Sequence, residues 1–383
     1  MSAGPPVIGP RARLWCVAAA VAGIGALAGG MVFQPKAAFA ALLVAAFFYL
    51  TLAAGAVVFL AIVNVSKAGW HTSFKRVPEA MAACLPLAAL AIVIALAGLT
   101  ALVDRDPASH VAAYLAPSFL LGRAAAVLLL WTVFAALLRR NSLRQDADGD
   151  VRHTARNVVL SAAFLVVFLF TFSMASIDWL MSLTEHWASS IFGLYNIAGL
   201  LSGSVAIMAV AVVWLRHSGR LAATNGDDLH DLGKLLFSFV TLWAYLWFSQ
   251  YLLIWYTNFP EETSFYLTTQ AGTGGSLLLW ANVVVNWLVP FFLLLPRDAK
   301  RSSTLLVRTS LLVLAGRWLD THLMVVPAVG SGLAATMALE VAAMAGLGAA
   351  FVLLAARLLA GASLVPKGDP YLVEVIPAVD AGH

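Results

Sequence analysis

Six ionisable side chains fall inside or at the edges of long apolar runs of this sequence: Arg123, Asp178, Arg317, Asp320, His322 and Glu340. Charged groups are costly in hydrocarbon, so each implies a partner, a function, or both. Arg317 and Asp320 are three residues apart, share a helix face and are placed to pair. Arg123 is placed to pair with Asp178 across two helices, and Glu185 and His186 follow Asp178 directly. Carboxylates and an imidazole at one depth can accept the protons that oxidation of a lipid-soluble quinol releases. Buried salt bridges that only fix packing explain the same charges. A second pattern is a hydroxyl stripe, Ser238, Thr241, Tyr245, Ser249 and Tyr256, spaced for one helix face above Lys234, with Gln250 off it. Such a stripe could carry protons through water, but interhelical hydrogen bonds are its commoner use. The candidates for a polar cavity or proton transfer are Arg123, Asp178, His186, Tyr245, Arg317, Asp320, His322 and Glu340. None is assigned as catalytic, cofactor-binding or metal-binding.

The elements that hold these residues are membrane helices. Of the 383 residues, 62% are hydrophobic and 11% charged, against about half and a quarter in a soluble domain. A bilayer core of about 30 Å needs about 20 apolar residues in a helix. Runs of that kind occur near 14–33, 38–63, 80–102, 116–138, 158–181, 191–215, 235–256, 276–295, 304–326 and 332–359. The expectation is an all-α integral membrane protein with about ten transmembrane helices, residues 1–383 forming a single polytopic domain with no soluble domain. The sixth and tenth runs are rich in Gly and Ala, which suits close helix packing. Arg11 and Arg13 followed by an apolar stretch, with Ala38-Phe39-Ala40 beyond, imitate a cleaved signal. The stretch is too long for that, so it reads as a retained first helix.

Charge placement orients the helices. With ten spans, 19 of the 23 Lys and Arg fall on the side of both chain ends. The remainder, Lys36, Arg105, Arg123 and Arg317, lie on the other side or in the outer halves of helices. The positive-inside rule then puts both termini in the cytoplasm, and every membrane-embedded charge in the outer third. The net charge of +4 is thereby topology signalling, and nucleic acid is not an expected partner. The twelve Trp, among them Trp70, Trp179, Trp187, Trp255 and Trp318, read as an interface belt. The outer segment 258–275, with Pro260, Glu261 and Glu262, reads as a loop able to meet an extracytoplasmic partner.

Several chemistries are disfavoured. Cys16 and Cys84 sit in apolar runs, so neither a disulfide framework nor an iron–sulfur ligand set is expected, and no C-x-x-C-H exists for covalent haem. The eight His are nearly all in loops or at helix ends, so no facing pair for haem b is expected. No phosphate-cradling loop or nucleophile elbow is present.

Four stretches carry a family resemblance. They are Trp70-His71-Thr72-Ser73-Phe74-Lys75-Arg76-Val77-Pro78-Glu79; Phe172 to Leu183 with His186-Trp187 and Ile191-Phe192-Gly193; Asp231 to Phe237 leading through Trp243-Ala244-Tyr245 to Phe248-Ser249-Gln250 and Trp255-Tyr256-Thr257-Asn258-Phe259-Pro260-Glu261-Glu262; and Gly316-Arg317-Trp318-Leu319-Asp320. Over most of its length the chain resembles the NrfD/PsrC-like family, and within it the ActF-type membrane subunits of bacterial alternative complex III. That resemblance implies a bacterial inner-membrane protein of two four-helix bundles plus flanking helices, in a respiratory complex that oxidises quinol and reduces cytochrome c or a bound terminal oxidase. It implies no redox cofactor in this chain. Haem c and iron–sulfur clusters would lie in partner subunits, with quinone or quinol nearby. The implied partners are the lipid bilayer, a related ten-helix membrane subunit, an iron–sulfur subunit, cytochrome c subunits and, in some complexes, a terminal oxidase. The implied role is assembly support, with proton transfer as an open extension, so whether the chain counts as part of an enzyme's catalytic machinery is left uncertain. Asp178, Arg317 and Asp320 belong to matching stretches, and no quinone motif maps residue by residue. The alternatives are a quinol-binding anchor of another NrfD/PsrC-type oxidoreductase, a secondary transporter, and a structural scaffold. Apparently continuous helices, with Pro290 and Pro327 near ends, weigh against transport.

Overall fold

The computed structural model describes residues 6–102, 112–184, 187–221, 223–271, 274–330 and 333–372. The described chain is helical, with ten helices long and apolar enough to cross a membrane. Their order is α1 (Pro10–Phe33), α2 (Pro35–Val65), the short α3 (Arg76–Ala82) continuing into α4 (Leu85–Leu102), α5 (Pro117–Asp148), α6 (Arg152–Trp179), α7 (Phe192–His217) and α8 (Gly226–Thr257). The short α9 (Pro260–Gln270) follows. The eighth span is then built from α10 (Gly275–Val283), a π-helical turn (Val284–Leu288) and α11 (Val289–Leu294). A short α12 (Arg297–Arg301), α13 (Ser303–Val329) and α14 (Leu333–Ala360) complete the chain.

Local chemistry sets the helix ends. Proline occupies the first helical position of α1, α2, α5 and α9, where its missing N–H costs nothing. Asn225 caps α8 in a reciprocal box with Asp228. Gly149, Asn258 and Gly330 close α5, α8 and α13 in the left-handed conformation. Helices run past the apolar segments for this reason. α5 continues ten residues beyond Leu138, because backbone bonding stops at a cap and not at the first charge. Segment 258–275, expected as a loop, contains a helix: Pro260 starts α9, and Glu261 and Glu262 favour its positive end.

Two four-helix bundles result. The first is α2, α3–α4, α5 and α6; the second is α7, α8, α10–α11 and α13; α1 and α14 pack together along the flank. Helix α2 is the hub, touching α1, α4, α6, α7, α13 and α14. Its sequence is rich in Ala and small residues and buried almost throughout. At the bundle interface Gly55 lets Ser204 approach, and the Ser204 hydroxyl lies 3.1 Å from both the Thr51 and Leu52 carbonyls. The outer surface is apolar: Leu14, Phe33, Phe170 and Trp255 are all largely exposed. A chain of ten such helices is a multi-pass membrane protein whose apolar exterior meets lipid.

The Trp belt needs correcting. Trp131, Trp179 and Trp243 are fully buried and Trp187 nearly so, whereas Trp15, Trp214, Trp255 and Trp280 are exposed. Flanking position along the chain does not reveal which face of a helix a residue occupies.

Candidate functional site

Alternating spans give the molecule two ends, one where the chain termini lie and one opposite. Three polar clusters occupy the opposite half, and they use six of the eight candidate residues.

The largest cluster is centred on Asp320 and draws on all four helices of the second bundle. Arg317 Nη1 donates to Asp320 Oδ2 at 2.6 Å, and Trp243 Nε1 donates to the same oxygen at 3.3 Å. Asn282 Nδ2 donates to Oδ1 at 2.8 Å, and the Tyr195 hydroxyl donates to Oδ1 as well. Four donors match the roughly four lone-pair sites of a carboxylate. Asp320 and its partners Arg317, Trp243 and Tyr195 are all buried. The guanidinium lies against Gly199, where a Cβ would collide with it. Asn286 donates to the Asn282 carbonyl at 3.0 Å and packs on Gly316, where an added Cβ would come 2.7 Å from its amide carbon. These asparagines flank or sit in the π turn, which precedes Pro290. Proline cannot donate to the preceding turn, and a wider turn accommodates that loss. The eighth span is therefore not the continuous helix expected.

The second cluster joins α13 to α14. Glu340 is fully buried and both its oxygens lie near His322 Nδ1, at 2.9 and 3.0 Å. Trp318 Nε1 donates to Glu340 Oε2 at 3.0 Å. Helix α13 thus presents Arg317 and Asp320 to the bundle interior, and Trp318 and His322 to α14. The third cluster bridges α5 and α6 in the first bundle. Arg123 donates from Nε and Nη2 to the same oxygen of Asp178, at 3.1 and 2.9 Å. It also donates to the Tyr114 carbonyl at 2.9 Å and stacks on the Tyr114 ring at 3.8 Å. Asp178 is 3% exposed, yet its Oδ1 is buried with no hydrogen-bond partner among the described residues. Among the described residues, Asp178 is the one of the three carboxylates with an oxygen that no geometric hydrogen bond reaches, although the Tyr114 phenol lies beside it, its pKa raised by burial and by that carboxylate.

Two candidates stand apart. Tyr245 is 66% exposed on the outward face of α8, so it joins none of these clusters. The inward face is Leu236, Val240, Trp243, Trp247, Gln250 and Ile254. Gln250 is buried and accepts from the Ser189 hydroxyl at 3.0 Å. A wire through the bundle is not what the hydroxyl stripe forms, because Ser238, Tyr245 and Tyr256 all point away from the bundle. His186 lies outside the described residues.

Sequence reasoning did not single out Tyr195 or Asn282, and it quoted Trp243 only within a matching stretch. Asn282 and Asn286, four apart in an apolar run, were the available signal. It also passed over a second polar region at the termini end. There Arg76 is buried and bonds Glu79, Asp146 and the Ser142 hydroxyl, the last at 2.9 Å. Lys75 bonds Asp369 at 2.6 Å, and the Lys367 backbone N–H donates to Asp146 at 3.0 Å, so the C-terminal segment is clamped here. Burial pushes the Asp369 carboxyl up, but the Lys75 charge and hydrogen bond, with the Tyr371 backbone N–H, together hold the group below its ordinary range. Burial drives His71 down to about 3, with Lys75 adding to the shift. Both ring nitrogens of His71 are buried, and neither meets a geometric hydrogen-bond partner among the described residues.

Among the described residues no three His, Cys, Asp or Glu side chains converge as a metal-binding group. No protein-family model matches the chain, and no curated protein is detectably similar to it.

Proposed function

We propose that the chain is a membrane subunit of a quinol-oxidising respiratory complex of the alternative complex III type, in the bacterial inner membrane with both termini cytoplasmic. Its role is assembly support, and Asp178 is the residue through which it would take part in proton transfer. Haem c and iron–sulfur clusters belong to partner subunits in this reading, together with a related ten-helix membrane subunit. The resemblance of the four quoted stretches supports it. The carrying observation is the set of buried Asp178, Asp320 and His322–Glu340 groups in the half opposite the termini, with an oxygen on Asp178 that no hydrogen bond from a described residue reaches.

The three clusters divide the work. Asp320, with four donors, is saturated and acts as a lock between four helices. The His322–Glu340 pair combines an imidazole with a carboxylate, groups that exchange a proton readily. Asp178 has a guanidinium on one oxygen, and its other oxygen takes no hydrogen bond from a described residue, with the Tyr114 phenol beside the carboxylate. It can accept a proton without breaking an existing bond.

Asp178→Asn in the assembled complex tests this, read by quinol:cytochrome c turnover and by proton release from vesicles. A general acid or base typically contributes 10²–10⁴-fold, so a loss of at least about tenfold with assembly intact is expected. Unchanged turnover and proton release would leave the Arg123–Asp178 pair as packing. One observation favours a secondary transporter instead: the π turn and Pro290 interrupt the eighth span beside a buried polar network. Co-purification separates the two. A complex subunit brings haem and iron–sulfur proteins with it, and a transporter does not.

A further inference from the structure

We infer that the groove between α1 and α14 at the termini end is a binding site for one anionic phospholipid. The two helices touch at Gly23 and Gly346, where a Cβ on Gly23 would come 2.6 Å from the Gly346 Cα. From that crossing they diverge towards the termini end, leaving a groove of about 900 Å³. Its walls are apolar, among them Val17, Ala20, Leu353 and Leu354, and the segment around Val7 covers one side. The Pro6 carbonyl accepts from Arg220 at 2.7 Å, which pins that segment in place.

Arg13 and Arg357 also line the groove, with no acidic side chain among the lining residues. Arg13 is ten residues before Gly23, and Arg357 eleven after Gly346, on antiparallel helices. At 1.5 Å per residue each lies roughly 15 Å from the crossing, on the same side of it. Gly23 and Gly346 are close to the midpoints of their helices. Half of a hydrocarbon core is also about 15 Å. The two guanidiniums therefore stand at headgroup level, above an apolar slot whose deepest lining residues, Ala20 and Ala350, lie seven residues or roughly 10 Å further in. That arrangement matches a phosphate-bearing headgroup with its acyl chains, and basic pockets between membrane helices bind such lipids. Arginine suits the phosphate because its fork can donate two bonds at once. The inference rests on the helix arrangement and is independent of the proposed respiratory role.

The full-length chain, in whatever assembly it purifies with, is to be delipidated in detergent and titrated with phosphatidylglycerol or phosphatidylcholine. Binding is read by native mass spectrometry and by thermal stability. Arg13→Gln/Arg357→Gln is compared with Arg140→Gln/Arg144→Gln, which removes two exposed cations from the same end but outside the groove. The expected result is one tightly held phosphatidylglycerol, bound roughly tenfold or more weakly by the groove variant and unchanged by the control. Equal weakening by both variants would mean diffuse charge attraction and would overturn the site. Equal binding of phosphatidylcholine would overturn the role of the arginines. Full competition by soluble glycerol phosphate would overturn the role of the acyl slot.

Discussion

The two four-helix bundles are built on the same plan but differ in what fills their centres. In the first bundle an aromatic stack lies between the Arg123–Asp178 pair of the opposite half and a polar layer at the termini end. Trp131 lies 5.0 Å from Phe168, 5.8 Å from Phe172 and 6.2 Å from Trp179, ring centre to ring centre. Its polar layer is at the termini end, where Asn141 bonds Asn157, Gln145 bonds Thr154, and Arg76 gathers Glu79 and Asp146. In the second bundle the polar layer is the Asp320 network in the opposite half. The stack fixes packing mainly by shape, with one hydrogen bond from Trp131 Nε1 to the Thr171 hydroxyl at 2.9 Å. A saturated carboxylate fixes it by requiring four helices to arrive together, since any missing donor leaves a buried charge short of partners. The centre of the first bundle is thus held mainly by volume, and that of the second by a hydrogen-bonded carboxylate.

Breaking the second bundle at its centre should have the largest effect. Removing one partner of a buried ion pair costs about 3–5 kcal/mol, so Asp320→Ala or Arg317→Ala is expected to abolish folded protein in fluorescence-detected size exclusion. The double variant Arg317→Met/Asp320→Leu should recover part of the loss, because no charge is then left alone. In the first bundle, Trp131→Ala should cost about 3–5 kcal/mol through the cavity it leaves. No paired substitution in the polar layer should rescue it. If Trp131→Ala proves harmless, the first bundle is not held by volume.

Gly199→Ala sharpens the contrast at smaller scale. Its Cβ would displace the Arg317 guanidinium, for about 1–3 kcal/mol. Gly203→Ala, whose Cβ would meet the Leu52 side chain at 3.2 Å and the Arg317 Cγ at an ordinary 3.6 Å, should cost less. Thermal unfolding of the two variants side by side measures the difference.

The termini end of the first bundle carries a pH dependence at His71. His71 is held neutral down to about pH 3 by burial and by Lys75, whereas the unfolded chain takes up the proton near 6.5. Between those values the unfolded state binds more protons. Stability is therefore full above about pH 6.5 and falls with acidification towards pH 3, on the order of 1 kcal/mol per pH unit. His71→Gln should flatten that limb in a pH series of unfolding midpoints. The smallest effect is expected from Tyr245→Phe, within about 0.5 kcal/mol, since its ring is exposed on the outward face.

The sequence by itself determined the ten spans, because crossing a bilayer requires a length of apolar chain and length is local. It also determined that Arg317 and Asp320 meet, because three residues along one helix is a local distance. The pairing of Arg123 with Asp178 was legible from shared depth, once the spans were known. Only the tertiary structure decided what else those charges touch. Tyr195, Trp243 and Asn282 come from three other helices, and nothing in the spacing along α13 points to them. Only the tertiary structure decided, too, that the Tyr245 stripe faces outward while Gln250 faces in. Helical periodicity states which residues share a face. Which face turns inward is settled by neighbouring helices, and apolar residues on both faces of a membrane helix erase the contrast that marks the inner side of a soluble one.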